Sequence, residues 1–297
     1  MSEFYPIVEV QEDWLLDPEE RSEFIGSKDK FWYQPEEDST RWLFKYPRGN
    51  SGEHWSEKIA ESVASLLDIP HARVELAVFG GRRGSVTESF IDSELELFHG
   101  NQILEITVRG YDPETRFGQS DHTLENIWLA LDHVFGGTEE AKLQFAEYLV
   151  LDGIIGNTDR HHENWGIVRK WAGKGQISFL APSFDHASSL GRELEDERRA
   201  MLLAEKRVGE FSERGRGGIY WSRSDRRGPS PATLVVLATE RYRDLFKPAL
   251  AKLDNLSDSS LREIVERTPE RWMTPTAREF AVALMRYNLG KMRKVVR

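Results

Sequence analysis

Four groups of polar residues, spread along 297 residues, have the types and spacing that phosphoryl transfer requires. Asp159 and Asn164 stand five positions apart in LDGIIGNTDRHHENWGIV, directly after an apolar run that ends at Gly156. A carboxylate there could orient an attacking hydroxyl and accept its proton. A neutral oxygen a short loop away could hold magnesium. Asp185, in SFLAPSFDHASSLG at the end of an expected strand, would supply a second metal oxygen. Magnesium prefers oxygen ligands and keeps several waters, so one Asn and one Asp suffice. Lys45, at the end of WLFKYP, could reach nucleotide phosphates from a rigid strand, and Glu57 and Glu61 lie one helical turn apart on the next helix, able to hold a lysine ammonium.

The elements that must position these groups follow from periodicity. FIGSKDKFWYQ and TRWLFKYP flank a polar turn and read as a β-hairpin. GEHWSEKIAESVASLLDI carries Trp55, Ile59, Val63 and Leu66 at helical spacing, and VELAVFG and GSVTESFI read as strands about the Gly80-Gly81 turn. Beyond Gly118 the pattern becomes helical: ENIWLALDHVF, then EEAKLQFAEYLVLDGIIG, apolar on most sides and therefore expected inside. SFLAPSF reads as a strand, and ELEDERRAMLLAEKR, LVVLATERYRDLFKPALAKL and REFAVALMRYNLGKMRK read as helices. The Arg/Gly/Ser-rich piece from Ser212 to Pro231 reads as a mobile loop. It holds Arg214, Arg216, Arg223, Arg226 and Arg227, a basic cluster with two readings: a solvated loop, or a surface for a phosphorylated lipid, an acidic protein or RNA.

Composition narrows the class. The length suits one large domain or two lobes, and folding at this size needs neither disulfides nor a structural metal. With no cysteine, thiolate zinc sites, iron–sulfur clusters and thiol nucleophiles are excluded, and a reducing compartment is favoured. A formal charge of -10 has the wrong sign for a general nucleic-acid binder. The opening MSEFYPIVEVQEDW lacks the basic and apolar regions of a secretory signal, and no apolar run is long enough to span a membrane, so a soluble cytoplasmic protein is expected.

NTDRHHEN followed by SFDHASS resembles the HipA-like serine/threonine kinases, whose catalytic loop carries an N-x-D-x-H-x-x-N pattern followed by a metal-binding Asp. EKIAESVASLLDIP resembles that family's N-lobe helix, VTESFID its hinge, and ERTPERWMTPTAREFAVALM its C-terminal helical region. The resemblance implies an α+β, bilobal protein-kinase-like fold: a small β-rich N-lobe over residues 1–92 and a larger, mostly helical C-lobe over 93–297. It implies ATP and Mg2+ as cofactors, with Asp159 as catalytic base, Asn164 and Asp185 as metal ligands, Lys45 on the phosphates and Glu57 as its partner. Gly26 would lie in the phosphate-covering segment, and the backbone at Glu88 and Phe90 would pair with adenine. His161 would position the loop, and His162 would be exposed. The implied acceptor is a Ser/Thr hydroxyl of a protein substrate, and the implied regulator an antitoxin or comparable partner.

Two departures bear on that transfer. Glu23 occupies the family's regulatory serine position, with Ser22 and Ser27 nearby but off the pattern, and no counterpart of the N-terminal domain of full-length HipA toxins is expected. DRHHEN also fits the D-R-H-x-x-N loop of phosphoinositide kinases, so a lipid or small alcohol acceptor is the alternative, and a pseudokinase interaction module the second. Metal hydrolysis through His161 and His162 is disfavoured, because adjacent loop histidines lack the spacing of helical zinc pairs.

Overall fold

Alternation along WLFK builds the first sheet: Trp42 and Phe44 are buried on one face, which leaves Leu43 and Lys45 on the other. In the computed structural model, which describes residues 3–16, 30–36, 39–172 and 175–296, the strand Trp42–Lys45 is β3. It follows β1 (Ile7–Glu9) and β2 (Lys30–Tyr33), and precedes α1 (Glu53–Leu66), β4 (Val74–Phe79) and β5 (Arg82–Glu88). These five strands form one sheet in the order β1-β4-β5-β3-β2, with β1 parallel to β4 and the other pairs antiparallel. The expected hairpin is thus β2–β3, with Lys30 opposite Lys45. Its leading part, including Ser22, Glu23, Gly26 and Ser27, lies outside the described residues. Phe44, Tyr33, Val86 and Ala77 fill the core on one side of the sheet, and α1 packs against β4 and β5.

The chain continues through β6 (Leu95–His99), α2 (Gly100–Thr107), α3 (Leu124–Phe135), α4 (Glu140–Ile155), β7 (Gly166–Ala172) and β8 (Gly175–Leu180). Six helices follow: α5 (Asp196–Ala204), α6 (Val208–Arg214), α7 (Pro231–Arg241), α8 (Arg243–Ala251), α9 (Asp258–Glu266) and α10 (Pro275–Val296). As its apolar circumference requires, α4 is the central helix, packed by α3, α7, α8 and α10. It stops at Gly156, whose φ of 67° is the left-handed cap conformation, and the Gly156 N–H donates to the Asp152 carbonyl. No described helix is long and apolar enough to cross a membrane.

Several local expectations need correction. Strands β6, β7 and β8 form an antiparallel sheet that the helical pattern did not reveal, and β8 ends at Leu180, so Asp185 lies beyond the strand rather than at its end. The segment LVVLATERYRDLFKPALAKL is two helices, because Tyr242 (φ -127°, ψ 51°) leaves the helical region between α7 and α8, which then both pack on α4. The Arg/Gly/Ser-rich segment is not loosely attached. Its start is α6, and beyond it Ile219 and Tyr220 are buried.

Phe145 of α4 is fully buried, edge-on to Trp128 and Trp165 at 5.8 and 5.4 Å between ring centroids. Phe145→Ala should destabilise the protein by about 3–5 kcal/mol. A urea titration is expected to show a lower midpoint at an unchanged slope.

Candidate active site

A buried ion pair organises the loop after α4. Asp152, 3% exposed, stands inside that apolar helix, and Arg160, 2% exposed, returns to it from the loop eight residues on. The pairing is bidentate: Arg160 Nε donates to Asp152 Oδ2 at 2.7 Å and Nη2 to Oδ1 at 2.8 Å. The remaining guanidinium donors reach outward, to the Asn164 carbonyl at 2.6 Å, the Phe184 carbonyl at 3.3 Å and the Ser183 hydroxyl at 2.9 Å. One side chain thereby fixes both the loop that carries Asp159 and Asn164 and the segment that carries Asp185. It also shows that Arg160 is committed to Asp152, not to a neutralising bridge with Asp159.

On that frame, Asn164 Nδ2 donates to the Asp159 carbonyl at 2.6 Å, which orients the carboxamide. The Asp159 N–H donates to Asn157 Oδ1 at 3.1 Å, and the Ser188 hydroxyl to Asp159 Oδ2 at 3.2 Å. Arg192 Nη2 donates to Ser188 Oγ at 2.9 Å, and Arg192 in turn pairs with Glu53, the first residue of α1. Asp185 has a φ of 56°, the left-handed conformation that few residues other than Gly and Asn/Asp adopt readily.

From the other side, Lys45 Nζ lies 3.3 Å from Asp185 Oδ1 and 3.5 Å from Glu57 Oε1. Burial alone would lower the ammonium's pKa, but Asp185 and Glu57 outweigh it and hold Lys45 well above its ordinary value. Ser85, opposite Lys45 in the β3–β5 pair, donates to Glu57 Oε2 at 3.5 Å. The two α1 glutamates part company: Glu61 pairs with Lys58 at 3.1 Å, so only Glu57 faces Lys45.

A sequence profile of the HipA-like C-terminal domain matches residues 22–272. The chain belongs to the HipA-like C-terminal domain family. A Helicobacter pylori proinflammatory kinase, CtkA, has a similar structure with a TM-score of 0.79 at 18% identity, over 98% of this chain and 97% of that one. HipA in the Shewanella oneidensis MR-1 toxin–antitoxin complex with HipB and operator DNA is more distant, with a TM-score of 0.56 at 14% identity over 97% of this chain and 69% of that one. The fold is therefore kinase-like. No curated protein matches the chain.

Placed in this family's fold, the remaining expected residues divide. The Phe90 ring lies 5.6 Å from that of Phe184, the residue before Asp185, beside the site. The Glu88 N–H donates to the Arg73 carbonyl at 2.9 Å, and its carboxylate lies 3.5 Å from Arg73. Gly26 lies outside the described residues. Asn164 and Asp185 offer oxygen donors of the type magnesium takes. Among the described residues no cluster of three or more His, Asp or Glu has a metal-holding arrangement.

His161 is buried beside Asp159: its Nδ1 accepts from the Glu163 N–H at 3.1 Å, and Arg116 Nη2 lies 2.8 Å from Nε2. Burial, and then Arg116, push its pKa down to about 3. His162 is buried, not exposed as expected; its Nδ1 meets the Tyr111 hydroxyl at 2.8 Å. His122 accepts from Trp165 Nε1 on its Nε2 at 3.2 Å, so its Nδ1–H donates to the Gly218 carbonyl at 2.8 Å.

Arg160→Lys keeps the charge but loses the fork, leaving the Asp152 carboxylate and three outward acceptors undersatisfied. A loss of about 3–5 kcal/mol in denaturant unfolding is expected; parental stability would show that charge alone suffices. His122 is pushed down to about 3, mainly by burial, so between that value and the ordinary 6.5 the unfolded chain binds a proton that the folded chain does not. Stability should fall as pH drops through 6.5. From pH 7 to 5.5 His122 alone contributes roughly 1 kcal/mol of that fall, and unfolding curves of His122→Gln should show a correspondingly shallower pH dependence.

Proposed function

We propose that this chain is an ATP- and Mg2+-dependent kinase that transfers the γ-phosphate to a Ser or Thr hydroxyl of a protein. The observation that carries the reading is Lys45, held between Glu57 on α1 and Asp185, with Asp159 and Asn164 fixed by the same Arg160 that fixes the Asp185 segment. Family membership supports it. Residues 1–92 would form the N-lobe and 93–297 the C-lobe, with nucleotide between them, the phosphate-covering segment including Gly26, and adenine against the backbone near Glu88 and Phe90. A reducing cytoplasm suits a chain without cysteine, and an antitoxin or comparable partner, on the pattern of the Shewanella toxin–antitoxin system of HipA and HipB, is the corresponding proposal for control.

In this reading Lys45 draws the nucleotide phosphates toward the sheet. Asp159, with Oδ2 steadied by Ser188, would align the acceptor hydroxyl and take up its proton as the phosphoryl group departs from ADP. Neutral His161 backs the carboxylate at 3.9 Å without adding a second full charge. Asn164 and Asp185 would hold magnesium, which supplies neutralisation of phosphate charge. Positioning and electrostatics account for most of the rate in such sites.

Asp159→Asn should retain nucleotide binding and lose phosphate transfer by on the order of 10²-fold or more. The test is incorporation of γ-labelled phosphate by parent and variant, beside a melting curve in which saturating Mg-ATP raises the transition temperature of both. Equal labelling by the variant would remove Asp159 from its role, and no thermal shift in the parent would remove ATP.

A further inference from the structure

The loop between α6 and α7, with Leu237 of α7, borders an open depression of about 540 Å3. Its lining includes Arg216, Arg226 and Arg227, with Asp225 the only carboxylate and Trp221 and Leu237 the large apolar residues. In a chain with a formal charge of -10 this is a local reversal of sign. The cations around it differ in commitment. Arg223 pairs with Asp121 and Arg214 with Glu210 at 3.7 Å. Arg216 reaches backbone carbonyls only, at 3.4 and 3.5 Å, and among the described residues Arg226 and Arg227 form no hydrogen bond or ion pair. All three are exposed.

The loop is not a free tether. Its Gly217 N–H donates to the Pro229 carbonyl at 2.9 Å, which closes it on itself, and the Tyr220 N–H donates to the His122 carbonyl at 2.9 Å. A Cβ on Gly218 would fall 2.8 Å from the Arg160 carbonyl, so the loop backbone lies directly on the catalytic loop. A Cβ on Gly215 would lie 3.4 Å from the Thr158 side chain. Arg216 therefore directly follows a residue at which an added Cβ would reach van der Waals contact with Thr158, the neighbour of Asp159. The depression is thus built on the same loop segment that packs against the backbone of Arg160 and His161.

We propose that this depression is a docking pocket for an acidic side chain of the protein substrate, a carboxylate or phosphate a few residues from the acceptor hydroxyl; the inference rests on the kinase reading above. Planar guanidinium groups bind both anions through paired N–H donors, and the Trp221 and Leu237 walls suit the apolar stem of such a side chain. A concave pocket with its own carboxylate, on an acidic protein, does not present the extended cationic track that RNA requires.

The test is fluorescence anisotropy with the full chain and labelled peptides of one length: glutamate-rich, phosphoserine-containing, and neutral with glutamine. The acidic peptides should bind at least about 10-fold more tightly than the neutral one, and their ratio separates carboxylate from phosphate preference. Arg226→Glu with Arg227→Glu should abolish that preference, Arg216→Ala should weaken it, and Asp225→Asn should strengthen it, each at a parental melting temperature. Equal binding of acidic and neutral peptides, or an unchanged preference in the Arg226/Arg227 double variant, overturns the proposal. So does tighter binding of a labelled oligouridine that the same double variant abolishes. The kinase reading fails separately, through the Asp159→Asn labelling and Mg-ATP melting measurements, neither of which depends on these arginines.

Discussion

The bidentate pairing of Arg160 with Asp152 is the constraint on which the rest of the site depends. A carboxylate inside an apolar helix is costly unless a cation meets it with good geometry, and Arg160 meets it with two of its five donors. The other contacts hold the carbonyls of Asn164 and Phe184 and the hydroxyl of Ser183. Burial of one charge thus determines the path of two segments that are distant in sequence. Ser183 passes the arrangement on, because its hydroxyl meets His186 Nε2 at 2.7 Å and burial keeps that imidazole neutral, with its pKa well below the ordinary value.

Neutral imidazoles recur around the same loop for the same reason. His122, His161 and His162 all have depressed pKa values, with burial the largest cause in each. Protonating any of them would place a cation beside Arg160 or Arg116. In the neutral form they serve as directional hydrogen-bonding struts between the loop after α4, the Gly218 segment and the Tyr111 hydroxyl. Rigidity in this region comes from hydrogen bonds that need one protonation state.

Much of this was legible in the sequence, and the reasons are specific. The strand–helix–loop order of Lys45, Glu57, Asp159, Asn164 and Asp185 was readable because each stands next to a strong local signal: alternation in WLFK, helical spacing around Trp55 and Ile59, and the left-handed glycine that ends α4. The supporting residues were not read. Ser188 and Glu53 lie within stretches that were read for other residues and Arg192 just beyond one, and their contacts exist only once α1 meets the loop after β8. Asp152 did leave a trace, an aspartate within LVLDGII, where an apolar helix has no reason to carry a charge unless something comes to meet it. Composition misled at Ser212 to Pro231: glycine there permits close backbone approach to the loop after α4 rather than freedom from it.

The linkage of Lys45 to Asp185 and of Arg192 to Glu53 joins the five-stranded sheet and α1 to the segment that follows β8. Both joints are ionic, and Asp185 is 28% exposed at its side chain. These ionic joints accompany an apolar seam, because Trp55, Ile59 and Val63 of α1 belong to the same buried cluster as Leu104, Phe145 and Ile154. Dissolved ions compete with the ionic joints and leave that seam untouched, so added electrolyte should loosen the Lys45 and Arg192 contacts without separating α1 from the helices beneath it.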